Sequence, residues 1–288
     1  GECPHMAGLE YTLAGPTLRA DDYTLVALTG GAVEPKVNGK RVNMFEPLLL
    51  APGDTLEIGM LVSGLRGYLA VFGGFDIHPV LGSRSTDLKC HIGGLNGRAL
   101  KAGDVLPVLR AFELPQERFR PLQKRVRAAA LEDWALTTLT PHGFIGAQKF
   151  PLLRVVLGPQ DEMFTEKGLF DFKSALYTVT QDSNRMAAKL NGAAIEARAG
   201  VDILSDGIVE GSVQISANGQ PIVMLTDHQS TGGYAKIATV IPCDIPTLAQ
   251  VRPGQLVGFR VVTVEEGTAA CKKEKDKWAY LKEKIDHD

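Results

Sequence analysis

The sequence predicts a mainly β protein: a β-rich N-terminal half, a second β half built as a barrel or sandwich, and a helix at the C-terminus. Three observations predict it. Short β-prone apolar runs recur along both halves, Gly, Pro and Asn-Gly turn signals separate them, and helical spacing is confined to the last twenty or so residues.

The first half, residues 9 to 112, reads as a series of short strands. Tyr23-Thr24-Leu25-Val26-Ala27-Leu28 is apolar and β-prone. Val37-Asn38-Gly39-Lys40 carries the Asn-Gly pair that favours a hairpin, because both turn residues must take positive φ. Leu48 to Ile58 reads as strand, Pro52-Gly53 turn, strand, and Gly67 to Phe72 as a buried strand closed by Gly73-Gly74. Ala102-Gly103-Asp104 and Pro253-Gly254-Gln255 echo the Pro52-Gly53-Asp54 turn, and each is expected to precede an apolar strand. No fixed period links them, so the chain is not a solenoid.

Residues 113–149 are polar and basic, interrupted by Pro115 and Pro121, and read as a linker between domains. Residues 1–112 then form the N-terminal domain, 150–265 the second β domain and 266–288 a helical tail. In the second domain Leu152–Leu157, Ala175–Thr180, Gly211–Ile215, Pro221–Leu225, Ala235–Ile241 and Leu256–Val264 read as strands, with Asn218-Gly219 as a hairpin turn. The tail, Thr268 to Ile285, is rich in Ala, Lys and Glu. Its Trp278, Leu281 and Ile285 share one face, expected to dock on the body or a partner.

With 288 residues, 44% hydrophobic and 22% charged, the chain can bury a sizeable core without metals or disulfides. A net charge of −2 with no long basic tract argues against nucleic acid. No apolar run reaches the roughly 20 residues of a membrane span. No signal-peptide pattern opens the chain, and its start, Gly1-Glu2-Cys3-Pro4, reads like the interior of a longer protein. Cys3, Cys90, Cys243 and Cys271 are dispersed without zinc spacing, so they read as reduced thiols of a cytoplasmic protein, and no metal site is expected.

No nucleophile elbow, P-loop or dinucleotide fingerprint is present, so the chain alone is not expected to bind ATP. Polar residues gather instead in four stretches: 81–87, 179–186, 203–215 and 218–236. Arg185 presents a planar fork suited to a carboxylate, and Lys236 can add a second positive charge. Asp206 and Asp227 can accept from an amide or ureido N–H. Gln214, Gln220 and Gln229 carry the donor and acceptor that a cyclic amide needs. Thr231-Gly232-Gly233-Tyr234 lets backbone approach a ligand, although such a stretch also suits a bulge. Arg84 and Ser183 are candidate substrate contacts, with a loop brace and a turn cap as their plainer readings. His78, His91 and His228 read as structural.

These stretches also carry a family likeness. Gly73-Gly74-Phe75-Asp76, Leu81-Gly82-Ser83-Arg84-Ser85-Thr86 and Gly97-Arg98-Ala99-Leu100-Lys101-Ala102-Gly103-Asp104 resemble the first half of the allophanate hydrolase subunit 2, or biotin-dependent carboxyltransferase-like, family. Ser183-Asn184-Arg185-Met186, Ser205 to Ile215, Asn218-Gly219-Gln220-Pro221 and, most specifically, Asp227 to Ile241 resemble its second half. Two departures stand out: the family's usual Gln-Asp-x-Gly-Arg stretch near the N-terminus is missing, and Met186-Ala187-Ala188-Lys189-Leu190 replaces Met-Gly-Tyr-Arg-Leu.

The resemblance implies a cyclophilin-like β-barrel in the second domain. It implies an ATP-hydrolysing, amide-bond hydrolase function shared with partner subunits. The chain's length suits the stand-alone members, the C subunits of bacterial ATP-dependent 5-oxoprolinase, which act with subunits A and B to open 5-oxo-L-proline to L-glutamate. Other members are the carboxyltransferase regions of urea carboxylase, acting on a urea-like substrate, and a non-catalytic regulator that antagonises a kinase inhibitor. ATP would be used by the complex. Biotin, where used, would arrive on another protein, since no biotin-attachment Met-Lys-Met is present.

Overall fold

A computed structural model describes residues 6–109 and 150–287. The chain divides into two compact units, Gly1–Thr140 (with Asp288) and Pro141–His287. The linker expected at 113–149 lies outside the described residues.

The first unit holds eight named strands: β1 (Leu9–Thr12), β2 (Ala14–Arg19), β3 (Thr24–Ala32), β4 (Lys36–Val37), β5 (Lys40–Arg41), β6 (Leu48–Leu50), β7 (Thr55–Met60) and β8 (Ser63–Val71). They form two sheets, ordered β1-β8-β3-β6 and β2-β7-β4-β5. Period-two alternation explains the core. On β7, Leu56 and Ile58 point inward and are fully buried, meeting Leu28 of β3 and Leu69 of β8 in one apolar cluster. Asn38-Gly39 makes the expected hairpin between β4 and β5.

The Pro52-Gly53 turn forms too, with Asp54 N–H donating to Ala51 O at 2.9 Å. Its flanking strands do not pair with each other: β6 pairs with β3 and β7 with β2 and β4, so the turn carries the chain from one sheet to the other. Tyr11 lies flat over Gly67, where a Cβ would stand 2.2 Å from its Cζ. Burial pushes its phenol up to about 12, and its hydroxyl has no hydrogen-bond partner among the described residues.

One expected strand is absent. Ala102-Gly103-Asp104 turns as predicted, but Val105 and Leu106 do not enter a sheet, and Val105 is exposed. Pro107 cannot donate to a ladder, and only Val108 makes an isolated bridge, to Phe75. Asp104 is instead clamped by Arg98 through two hydrogen bonds of 2.7 and 2.8 Å.

The second unit contains β9 (Leu152–Leu157), a 3₁₀ turn Asp161–Met163, α1 (Glu166–Ser174), β10 (Leu176–Val179), β11 (Ala187–Asn191), β12 (Asp202–Gly207), β13 (Ser212–Ile215), β14 (Pro221–Met224), β15 (Thr231–Tyr234) and β16 (Lys236–Val240). A 3₁₀ turn Pro242–Asp244, α2 (Ile245–Ala249), β17 (Leu256–Val261) and α3 (Val264–His287) follow. Seven strands close a barrel in the order β10-β11-β14-β13-β16-β9-β17, β17 returning to β10, and β12-β15 stand apart as a two-stranded ribbon. The barrel is the cyclophilin-like element that the resemblance implied. Its interior is filled by Leu153, Val155, Tyr177, Val213, Ile215, Val223, Ile237 and Val257, all fully buried. Asn218-Gly219 closes the β13–β14 hairpin, with Ser216 N–H donating to Gln220 O at 3.0 Å.

Helix α1 was not expected from the sequence. Thr165 caps it, its Oγ1 accepting from Gly168 N–H at 3.0 Å, and Phe172 stacks on Phe259 of β17 at 4.5 Å. Strands β11, β12 and β15 were also missed. They are short and polar or Gly-rich, so their apolar signal is weak.

Helix α3 begins four residues before the expected Thr268. Thr263 and Glu266 form a capping box: Glu266 N–H donates to Thr263 Oγ1 at 3.2 Å, and Thr263 N–H donates to the Glu266 carboxylate at 2.9 Å. The more buried side of α3 runs through Gly267, Ala270, Cys271 and Glu274, spaced three and four apart, while Trp278 is about half exposed. The side chains of Leu281 and Ile285, the rest of the expected face, lie outside the described residues. Thr263→Ala is expected to cost about 1 kcal/mol, read as faster amide exchange in the first turn of α3. Unchanged exchange there would contradict the box. No described helix is long and apolar enough to cross a membrane.

Candidate functional site

The pairing of β13 with β16 and of β12 with β15 brings together residues distant in sequence. Lys236 opens β16 opposite Gln214 of β13, at the point where the register shifts. Asp206 of β12 sits opposite Gly232 of β15. Lys236 is only 3% exposed, yet it carries an ammonium. A buried charge must be compensated. Lys236 Nζ donates to Asp206 Oδ2 at 2.6 Å and to Gly207 O at 3.0 Å. Its main chain is held by Gln160, whose Oε1 accepts from Lys236 N–H at 3.0 Å and whose N–H donates to Lys236 O at 3.1 Å.

Gln214, also buried, donates from Nε2 to Tyr234 O at 3.1 Å. Glycine at 232 leaves room for these side chains: a Cβ there would stand 2.5 Å from Ile208 Cδ1 and 2.8 Å from Gln214 Nε2, so both would have to move. Thus Asp206, Gln214, Gly232, Tyr234 and Lys236 form one cluster. Gln160 was missed because a lone glutamine after Gly158-Pro159 carries no chemical motif. The sheet alone reveals it.

The pair is asymmetric. The Lys236 side chain is buried, whereas that of Asp206 is 54% exposed. The hydrogen bond from Lys236, then that from Gly207 N–H, holds the Asp206 carboxyl below the usual carboxylate range. A depressed folded-state value means that the stabilisation is present above the unfolded value, near pH 4, and is lost as pH falls through the folded value. The pair is therefore intact at neutral pH. Carboxyl-carbon NMR should show Asp206 titrating at higher pH in Lys236→Met than in the parent chain. Equal midpoints would contradict the pairing.

The other candidates lie apart from this cluster or are already engaged. Arg185 does present a fork, but to Asp227: Nε donates to Oδ2 at 2.7 Å and Nη2 to Oδ1 at 3.2 Å, while Asp227 N–H donates to Arg185 O. Both side chains are nearly half exposed, at 43% and 46%. The two residues read as separate ligand contacts are thus first a pair with each other. Ser183 Oγ accepts from Lys189 N–H at 3.0 Å and bonds Lys189 O, bracing the β10–β11 connection. Gln220 uses both ends of its amide on Gly192, at 2.7 and 3.2 Å, so it clamps the hairpin tip. Gln229 is exposed on the approach to β15, Thr231 is exposed at its first position, and Gly233 lies within it. His228 Nδ1 lies 2.7 Å from Gln229 O.

Arg84 belongs to the first unit. It donates to Ile77 O, which matches its reading as a loop brace. It also lines a cavity of about 500 Å³ with Ala7, Gly8, Gly82, Ser83 and Ser85, so ligand contact stays open to it. Among the described residues no group of His, Cys, Asp and Glu is placed to hold a metal ion.

A closed β-barrel whose wall carries a buried ammonium beside a half-exposed carboxylate, preceded in the chain by a two-sheet β unit, is the mainly β architecture that the resemblance implied. Comparison with known families agrees: the model of the carboxyltransferase domain, subdomain A and B, matches residues 1–261, and the chain belongs to that family.

Among its relatives, the 5-oxoprolinase C subunit of Escherichia coli is 33% identical over 98% of this chain and 83% of its own length. The Haemophilus influenzae protein of the same name is 31% identical over 95% and 81%. The solved structure of the K. lactis urea amidolyase superposes with a TM-score of 0.80 at 26% identity. That match covers 95% of this chain but only 17% of the amidolyase, so the chain spans about a sixth of that larger enzyme.

Proposed function

We propose that this chain is the C subunit of a bacterial ATP-dependent 5-oxoprolinase, acting with subunits A and B on 5-oxo-L-proline. The observation that carries the reading is the Lys236–Asp206 pair: a cation buried in the barrel wall, with a carboxylate at the solvent edge to balance its charge and aim it. An ammonium has three donors, and Asp206 and Gly207 engage two of them. The third can meet a carboxylate, or the oxygen on which negative charge develops as a cyclic amide opens, where preorganised charge is worth most. Supporting the choice of substrate are the two relatives of like length, both of which are named as 5-oxoprolinase C subunits. ATP would be handled by the partner subunits in the cytoplasm.

A second reading, carboxyl transfer of the urea carboxylase type, is favoured by the likeness to urea amidolyase. The buried ammonium suits it as well: it would face the carboxylate of a carboxylated biotin brought by a carrier protein, and biotin would supply the transferable carboxyl group.

The test is reconstitution. Subunits A and B with this chain should convert 5-oxoproline to glutamate with ATP hydrolysis, and omission of the chain should abolish glutamate formation. Unchanged turnover on omission overturns the first reading. Carboxylation of urea with a biotinylated carrier, and no glutamate, would establish the second. Arg185→Ala with Lys236→Ala should abolish turnover while the subunits still assemble.

A further inference from the structure

Cys243, in the 3₁₀ turn Pro242–Asp244, and Cys271, on the buried side of α3, lie with their Sγ atoms 3.3 Å apart. Both are free thiols and both are half-buried. Their sequence separation of 28 residues gave no hint of the contact. It arises because Gly267, one helical turn before Cys271, lets α3 lie against Ile241, where a Cβ at 267 would stand 3.0 Å from Ile241 Cγ2.

The turn beneath is rigidly held. Asp244 accepts from Arg154 N–H at 2.7 Å and from Arg154 Nε at 3.0 Å, and Arg154 Nη2 lies 3.5 Å from Cys243 Sγ. The two sulfurs need approach by only about 1.3 Å to reach bonding distance.

We infer that Cys243 and Cys271 form a redox-responsive modification site, a reversible disulfide that ties the first turns of α3 to the barrel. The reaction is exchange with a small-molecule disulfide. The Cys271 thiolate displaces one thiolate from oxidised glutathione, and the Cys243 thiolate then displaces the second from the mixed disulfide. The protein loses two electrons and two protons, and the oxidant leaves as two thiols. Burial, followed by the neighbouring thiol, pushes Cys243 up to about 12, which makes it a poor first attacker on an external disulfide. A thiol pair held in contact inside a reducing compartment is of the transient, sensing kind. The site is independent of the proposed substrate.

The test uses the full chain carrying Cys3→Ser and Cys90→Ser, to remove the two other thiols. After incubation in oxidised glutathione and alkylation of remaining thiols, peptide mass spectrometry should find the Cys243 and Cys271 peptides linked, lighter by two hydrogens and separable by dithiothreitol. Amide exchange in the first turns of α3 should slow on oxidation. Cys243→Ser and Cys271→Ser should each abolish both effects; Cys243→Ser should trap the glutathione mixed disulfide at Cys271, and Cys271→Ser should leave Cys243 unmodified. Full alkylation of both thiols in the folded, oxidised chain, or glutathione adducts that never resolve, would overturn the site.

Discussion

Lys236→Met will lower 5-oxoproline turnover by the reconstituted complex about 10²–10³-fold, the scale of losing one preorganised charge-stabilising donor, while the barrel stays folded. The asymmetry of the pair predicts both halves of this result. Methionine fills the apolar path of the lysine stem, and the abandoned Asp206 carboxylate, half exposed, can return to water. The reverse change should behave differently. Asp206→Asn leaves a buried ammonium without its anion, with Gly207 O as its remaining partner, so it should destabilise more than Lys236→Met. Initial rates of glutamate formation, with urea midpoints for both variants, check the pair of statements. Turnover of Lys236→Met within a few-fold of the parent would remove Lys236 from the chemistry.

Phe259→Ala should give the largest stability loss, roughly 3–5 kcal/mol, as expected for truncating a buried aromatic. Phe259 stacks on Phe172 of α1 at 4.5 Å and tilts against Tyr177 of β10 at 5.7 Å, so one ring joins the barrel to the helix that covers it. Phe172 and Tyr177 are fully buried, and rigid strands on either side cannot collapse into the space left behind. Phe170→Ala, on the same helix but 65% exposed, is the internal control and should change stability by no more than about 0.5 kcal/mol. Urea titration of both variants decides it, and equal losses would contradict this packing.

The parts of the fold that were readable share a physical cause. Strands β9, β13 and β14 combine β-prone apolar residues with Gly158-Pro159 or Asn218-Gly219 boundaries, and β3 and β16 are continuous β-prone apolar runs, so local preference and burial agree. Helix α1 was hidden because its drive is tertiary. Phe172 gains its burial from Phe259, nearly ninety residues later in the chain. The strand expected after Gly103 failed for the opposite reason: its residues are apolar, but Pro107 breaks the ladder, and among the described residues they meet only the isolated bridge from Val108 to Phe75.

The candidate site divides the same way. The side-chain types that matter, a guanidinium, an ammonium, two carboxylates and several amides, were identifiable from their concentration in four stretches. Which of them meet was not. Arg185 and Asp227 pair with each other, Gln220 is spent on Gly192, and Gln160, unremarkable in sequence, holds both the N–H and the carbonyl of Lys236.

By itself the sequence determined the β class, most of the strands with their turns, and the set of polar side chains available for chemistry, since these follow from backbone preferences and from alternation along single segments. Only the tertiary structure decided the order in which the second-half strands close the barrel, that Lys236 is buried against Asp206, and that Cys243 touches Cys271. Those outcomes depend on register between strands and on the seating of a helix, and register is settled by the burial of both partners at once, which no single segment encodes.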